Sequence, residues 1–365
     1  MCEEVSYNLT NTSFLWIEEE NNSDHNVNCP VAMPDELTTL TLLSFLLEGV
    51  LQFIISSLGI LGNTASIFLL TRKELHSFFN QLLVVLVMYD LVYLVTMMLG
   101  SLIKLGVESD IHTMLFPYIL YPLNAISMMG SIYMTMAVGL ERYIAVYHPI
   151  EYSIVANDAS SHTRRLSKYV LPITIFAIVF NLPKFLESQV VYRDEDIYME
   201  VTDLRMSTSY VTWYHNWARF LILGILPFTV ICFLNYKIYL AVNKRRKNAH
   251  RKQDDNLSVV LMMIVASFVS CNILRILLNM HEITVIEEMH LCRCSNLGGF
   301  PIWILILGFI SPLLLVINSS VNLLIYCVFG TRFRQVLYSY CECGKSEQDQ
   351  EVTFRLNSQK QRING

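Results

Sequence analysis

The chain has 365 residues, 53% of them hydrophobic and only 16% charged, with a formal net charge of −5. About a quarter of residues are charged in a soluble globular domain, so this composition argues for a membrane protein instead. Neither a nucleic-acid partner nor a catalytic cofactor is expected of it.

A bilayer core takes roughly 20 apolar residues per helix. Seven segments reach that length: 44–71, 77–104, 112–147, 166–186, 213–243, 257–284 and 299–329. Backbone groups in hydrocarbon must be satisfied within their own segment, so each is predicted to be a helix. The expected fold is an all-α membrane protein, a seven-transmembrane helix bundle with a short amphipathic helix after the seventh. The expected divisions are a tail at 1–40, the bundle at 41–329, a juxtamembrane helix at 330–341 and a second tail at 342–365.

The first tail carries Glu3, Glu4, Glu18, Glu19, Glu20, Asp24, Asp35 and Glu36, and no Lys or Arg precedes Arg72. Basic residues gather after segments 1, 3, 5 and 7: Arg72-Lys73, then Arg164, Arg165 and Lys168, then the run at 244–252, then Arg332 and Arg334. By the positive-inside rule the amino terminus is expected outside and the carboxyl terminus in the cytoplasm. Sequons at Asn8, Asn11 and Asn21 fall on the outer side and are glycosylation candidates. No basic stretch followed by an apolar core appears in the first 40 residues, so segment 1 is expected to serve as the insertion signal.

Polar residues inside the segments come next in chain order. Segment 1 holds Asn63, and segment 2 holds Asp90, the only charge between Glu74 and Lys104. Segment 3 holds Ser131 and ends on Glu141, Arg142 and Tyr143. Segment 7 holds Asn318, Ser319 and Asn322. Intramembrane polar groups are costly and tend to mark function. One carboxylate among neutral oxygens fits a small-cation site, a polar hinge, or a self-satisfied hydrogen-bond cluster. Glu141 and Arg142 fit a weak ion pair at the water boundary, or plain snorkelling of an interfacial arginine.

Cysteines divide by location. Cys29, Cys292 and Cys294 fall on the oxidising side and are disulfide candidates. Cys341 and Cys343 follow segment 7 on the inner side, where S-palmitoylation and free thiols are both open.

Taken in order, Asn63, Asp90, "ERY" at 141–143, Pro227 and "NLLIY" at 322–326 resemble the rhodopsin-like G protein-coupled receptors over about 41–341. The resemblance implies a switch made of Glu141, Arg142, Tyr143, Asn322 and Tyr326, with Glu141-Arg142 as an inner lock. It implies an allosteric sodium site from Asp90, Ser131, Asn318, Ser319 and Asn322. It implies an extracellular ligand, a heterotrimeric G protein, and arrestin and receptor kinase as further partners. "FPYILYPL" at 116–123, "FNLPKFLE" at 180–187, "CNILR" at 271–275 and "NSSVNLLIY" at 318–326 are similar to the invertebrate FMRFamide receptor group.

Departures from the wider family are specific. Pro117 stands where the outer cysteine of helix 3 would be, and 187–212 contains no cysteine, which leaves that loop less constrained. Asn272 replaces a Trp, while Leu274 and Leu323 replace prolines, so less built-in bending of helices 6 and 7 is expected.

Within the resemblance, Asn124 in place of a carboxylate excludes aminergic ligands, and the lack of lysine from 296 to 330 excludes a retinal Schiff base. A neuropeptide fits better, of the amidated Arg-Phe type. Its candidate pocket is Tyr118, Tyr121, Asn124, Glu187, Trp217, Arg219, Arg275, Asn279 and Glu282. Glu187 or Glu282 is expected to pair a ligand arginine. Arg275 either awaits a ligand acceptor or pairs internally with Glu282 or Glu187. Another peptide, or a non-receptor transporter, is the alternative reading. The chain shows no internal repeat of the transporter kind.

Overall fold

The computed structural model describes residues 34–72, 75, 77–107, 109–150, 152, 161–193, 196–247, 253–294, 301–331 and 333–339. Seven helices there are long and apolar enough to cross a membrane. They are α1 (Glu36–Leu70), α2 (Phe78–Lys104), α3 (Asp110–Tyr147), α4 (Arg164–Leu186), α5 (Thr208–Asn243), α6 (Val260–Val285) and α7 (Ile302–Ser320). Two short helices follow, α8 (Asn322–Phe329) and α9 (residues 333–339).

The apolar faces are turned the way a bilayer requires. Leu171, Ile175 and Val179, spaced four apart on α4, are 56–60% exposed. A contiguous apolar stripe of that kind is tolerated where the solvent is lipid. The buried core gathers where α2, α3, α5 and α6 meet. Leu82, Val87, Met134, Val138, Ile238 and Leu261 are fully buried there.

Prolines accompany two of the wide turns. Pro117 and Pro122 lie in and just after a π-helical stretch of α3, Phe116–Leu120. On α5, Pro227 has no N–H, so the carbonyl of Leu223 loses its helical donor, just after a second such stretch begins, Phe220–Ile225. The released Leu223 carbonyl accepts from Nη2 of Arg275 at 3.2 Å, and the adjacent Ile222 carbonyl accepts from Tyr133 Oη at 2.9 Å. A sequence break in one helix thus becomes a polar tie to two others.

The missing prolines have opposite consequences on the last two spanning helices. The helix containing α6 runs unbroken over Gln253–Cys294, as expected. Asn272 there donates to the Phe268 carbonyl at 2.9 Å. The final helix, by contrast, is interrupted at Val321 between α7 and α8, although Leu323 is not proline. Asn63 Nδ2 donates to the Ser319 carbonyl at 2.8 Å, and the Ser320 hydroxyl donates to the Val316 carbonyl at 2.7 Å. Side chains entering the helical ladder interrupt it without a proline.

Between α4 and α5 lies an antiparallel hairpin, β1 (Ser188–Arg193) with β2 (Asp196–Val201), in register from Ser188↔Val201 to Arg193↔Asp196. This corrects the expectation of a loosely held loop. The Val190 N–H donates to Tyr118 Oη at 3.3 Å, and the Thr202 N–H donates to the Glu187 carbonyl at 3.0 Å. Strand pairing and α3 hold the segment without a disulfide.

Candidate functional site

The polar residues fall into three groups along the bundle. At its centre Asp90 is 1% exposed. Its Oδ1 accepts from the hydroxyls of Ser131 at 2.6 Å and Ser319 at 2.9 Å, and its Oδ2 from Asn322 Nδ2 at 2.6 Å. The interruption at Val321 sets Ser319 and Asn322 on either side of it, both turned to α2. The side chain of Asn318, the fifth residue of the expected set, makes no hydrogen bond among the described residues. Carboxylate, hydroxyl and amide oxygens are ligand types that a hard cation takes, while in this structure both hydroxyls and the Asn322 amide N–H donate to Asp90. Such an ion would supply a positive charge beside the buried carboxylate.

At the Glu141 end the geometry departs from an exposed local pair. Glu141 is fully buried. Its Oε1 accepts from Arg165 Nη2 at 2.7 Å and its Oε2 from Tyr169 Oη at 3.1 Å, both on α4. Tyr152 also bonds to Glu141, and burial, with that carboxylate beside it, pushes its phenol up to about 12. The Arg142 guanidinium lies over the Phe79 ring, 3.3 Å from its centroid. Tyr143 stacks near Tyr147 at 4.6 Å, and Tyr326 is buried with a hydroxyl that finds no partner among the described residues. The expected partner of Glu141 was its neighbour; the two α4 partners found are 24 and 28 residues away, and no spacing signals them.

The third group lies at the opposite end, near the hairpin. Glu187 and Lys184 are each 1% exposed and pair at 2.7 Å. Glu187 also accepts from Tyr121 Oη at 2.6 Å and Tyr210 Oη at 2.7 Å, and Arg205 Nε stands 3.8 Å away. Burial alone would raise the Glu187 carboxyl. The Lys184 charge and the three sets of hydrogen bonds outweigh burial and hold it below 4.5. Glu187 is therefore occupied internally, which corrects its expected role as partner of a ligand arginine. Lys184, three residues before it, is legible in the sequence as an opposite charge within reach.

Other pocket candidates separate in the same way. Asn124 Nδ2 donates to Thr96 Oγ1 at 2.9 Å. Tyr118 is tied to β1, and Trp217 is exposed with its ring edge-on to Phe220. Arg275, Asn279 and Glu282 sit at spacings of four and three, on one face of α6. The side chains of Asn279 and Glu282 form no hydrogen bond among the described residues. Arg275 donates to Met128 Sδ at 3.0 Å and to the Leu223 carbonyl, and no described carboxylate pairs with it. The alternative of an internal Arg275–Glu282 or Arg275–Glu187 pair is thereby set aside. Among the described residues Arg219 reaches only His215 Nδ1, at 3.5 Å, and Arg205 Nη2 stands 3.3 Å from Nε2 of the same ring.

Asn8, Asn11, Asn21, Cys29, Cys341, Cys343 and the side chains of Cys292 and Cys294 lie outside the described residues.

Comparison with known proteins places this geometry. The 7 transmembrane receptor (rhodopsin family) profile matches residues 62–326. A Drosophila melanogaster protein named FMRFamide receptor is 30% identical over 318 residues, covering 80% of this chain and 53% of its own length. A Caenorhabditis elegans protein named FMRFamide peptide receptor frpr-18 is 27% identical over 299 residues, covering 78% of this chain and 66% of that one. The chain thus spans about half the length of the fly relative. With seven spanning helices in order and a profile match over most of its length, the chain belongs to the rhodopsin-like seven-transmembrane receptor family, a multi-pass membrane receptor similar to FMRFamide receptors and not an enzyme.

Proposed function

We propose that this chain is a plasma-membrane receptor for a neuropeptide of the amidated Arg-Phe type, and that it activates heterotrimeric G proteins. The observation that carries this reading is the polar face of α6, where the side chains of Asn279 and Glu282 make no hydrogen bond among the described residues. Glu282 is the carboxylate left to receive a ligand arginine, because Glu187 is already occupied. The printed names of the fly and worm relatives support the peptide class.

In this reading the amino-terminal tail is extracellular, with sugars at Asn8, Asn11 and Asn21, and the carboxyl-terminal tail is cytoplasmic, with arrestin and receptor kinase as later partners. Arg142 receives the G protein once the Glu141 end opens, and Asp90 with its neighbours holds an allosteric sodium ion. The test is a calcium and cyclic-nucleotide response in cells expressing the chain, screened against amidated peptides. A response to Arg-Phe-amide peptides that disappears with Arg142→Ala supports the reading. Silence across the panel, with surface expression confirmed by antibody, strikes the ligand class.

A further inference from the structure

The charged group near the hairpin contains more cations than carboxylates. Lys184, Arg205, Arg219 and Arg275 stand against Glu187 and Glu282. Lys184 is matched by Glu187, and Arg205 shares that carboxylate at 3.8 Å. Arg219 and Arg275 have no carboxylate within ion-pair distance among the described residues. Glu282 acts on Arg205 and Arg219 only from beyond that distance.

Donor arithmetic at His215 sharpens the point. A guanidinium offers only N–H donors, and a neutral imidazole has one N–H and one acceptor nitrogen. His215 meets Arg205 through Nε2 and Arg219 through Nδ1. It can accept from one of them, so the other arginine faces a donor. Protonating the ring removes even that acceptor and adds a third positive charge. Arg275, within electrostatic reach of Arg219, rests on a thioether, a weak acceptor, and one carbonyl. Both arginines lack the strong acceptor that a partly buried guanidinium requires.

We propose that Arg219 and Arg275, with Arg205 and His215 beside them, form an oxyanion site that takes the side-chain carboxylate of an acidic residue in the peptide. Glu282, on the same face of α6 as Arg275, takes the ligand's arginine. The receptor then selects peptides carrying both charges. This rests on reading the α6 face as the peptide pocket.

The test uses synthetic heptapeptides ending in Arg-Phe-amide. A single Asp, or Asn in its place, is moved through the positions before the arginine. At one position Asp is expected to exceed Asn in potency by about tenfold or more, the scale of a charge-assisted bond. Arg219→Gln is expected to abolish that preference, so that the Asp and Asn peptides become equal in potency. Equal potency of Asp and Asn at every position, in peptides that do activate, overturns the oxyanion site and leaves the peptide receptor standing. A free-acid Asn peptide that matches the Asp peptide overturns the side-chain assignment.

A second measurement needs no activation. Purified receptor is melted in sulfate and in chloride at matched ionic strength. Wild type is expected to gain more from sulfate than Arg219→Gln and Arg275→Gln do. No difference between them overturns the site. Silence toward every peptide with the sulfate difference intact supports the site and strikes the peptide reading.

Discussion

Single residues carry the clearest energetic consequences. Lys184 and Glu187 are fully buried partners, and breaking such a pair costs roughly 3–5 kcal/mol because one charge is left behind. Glu187→Gln is therefore expected to lower thermal stability strongly at neutral pH. Its folded carboxyl lies below 4.5, so the ionised form stabilises the fold above the unfolded pKa, and this contribution is lost as pH falls through the folded one. The melting difference between wild type and Glu187→Gln should be full at pH 7 and shrink below about pH 4.5; a gap that widens on acidification contradicts the assignment. Glycines give a second residue-scale prediction. A Cβ at Gly130 would enter the ring of Tyr89, whose hydroxyl is held by Thr174 Oγ1 at 2.7 Å, whereas one at Gly100 would meet no atom within 4 Å. Gly130→Ala should cost about 1–3 kcal/mol, and Gly100→Ala should match or exceed wild type in melting temperature.

At the scale of elements, the interruption at Val321 separates what a helix needs from what a proline provides. Leu323 is the second residue of α8, and the first turn of a helix tolerates proline. Leu323→Pro is thus expected to reach the cell surface at near wild-type level, while Ile310→Pro, in mid α7, should not. Equal loss in both would contradict an interruption built from Asn63 and the serines. The Glu141 latch makes a prediction of its own. Arg165→Gln leaves a buried carboxylate with only phenols to satisfy it, so lower stability and a raised peptide-independent signal are expected. An unchanged basal signal would reduce the latch to a packing feature.

These elements also show what was legible in advance. The seven spans follow from the length of apolar runs, and the Asp90 cluster follows from the rarity of intramembrane charge. Ser131, Ser319 and Asn322 were readable through the family resemblance, which implies them around Asp90. Arg165 was not, because a surface-type arginine at a helix end carries no mark of the carboxylate it will meet. The hairpin was hidden for a different reason: without cysteines, it is held by the backbone pairing of β1 with β2, the contact of Val190 with Tyr118 and the bond of Thr202 to Glu187, none of which a sequence pattern marks. Helix 7 breaks without a proline at 323 because Asn63 supplies the interruption from another helix, which no residue of helix 7 itself marks.

Across the whole molecule, charge lies at two ends and a single acid lies between them. The lipid-facing surface is apolar, the bundle centre closes on Asp90, and each end holds a buried carboxylate within a cationic and phenolic setting. An arrangement of that kind suits a receptor whose ligand end and effector end are joined through one packed bundle. The most direct measurement is nucleotide exchange on a purified heterotrimeric G protein by the receptor in lipid nanodiscs, with and without an Arg-Phe-amide peptide. Exchange that rises with peptide in wild type, and stays flat in Arg142→Ala that still binds the peptide, is the predicted result. Exchange unaffected by peptide in wild type, with peptide binding demonstrated, would contradict a signalling receptor.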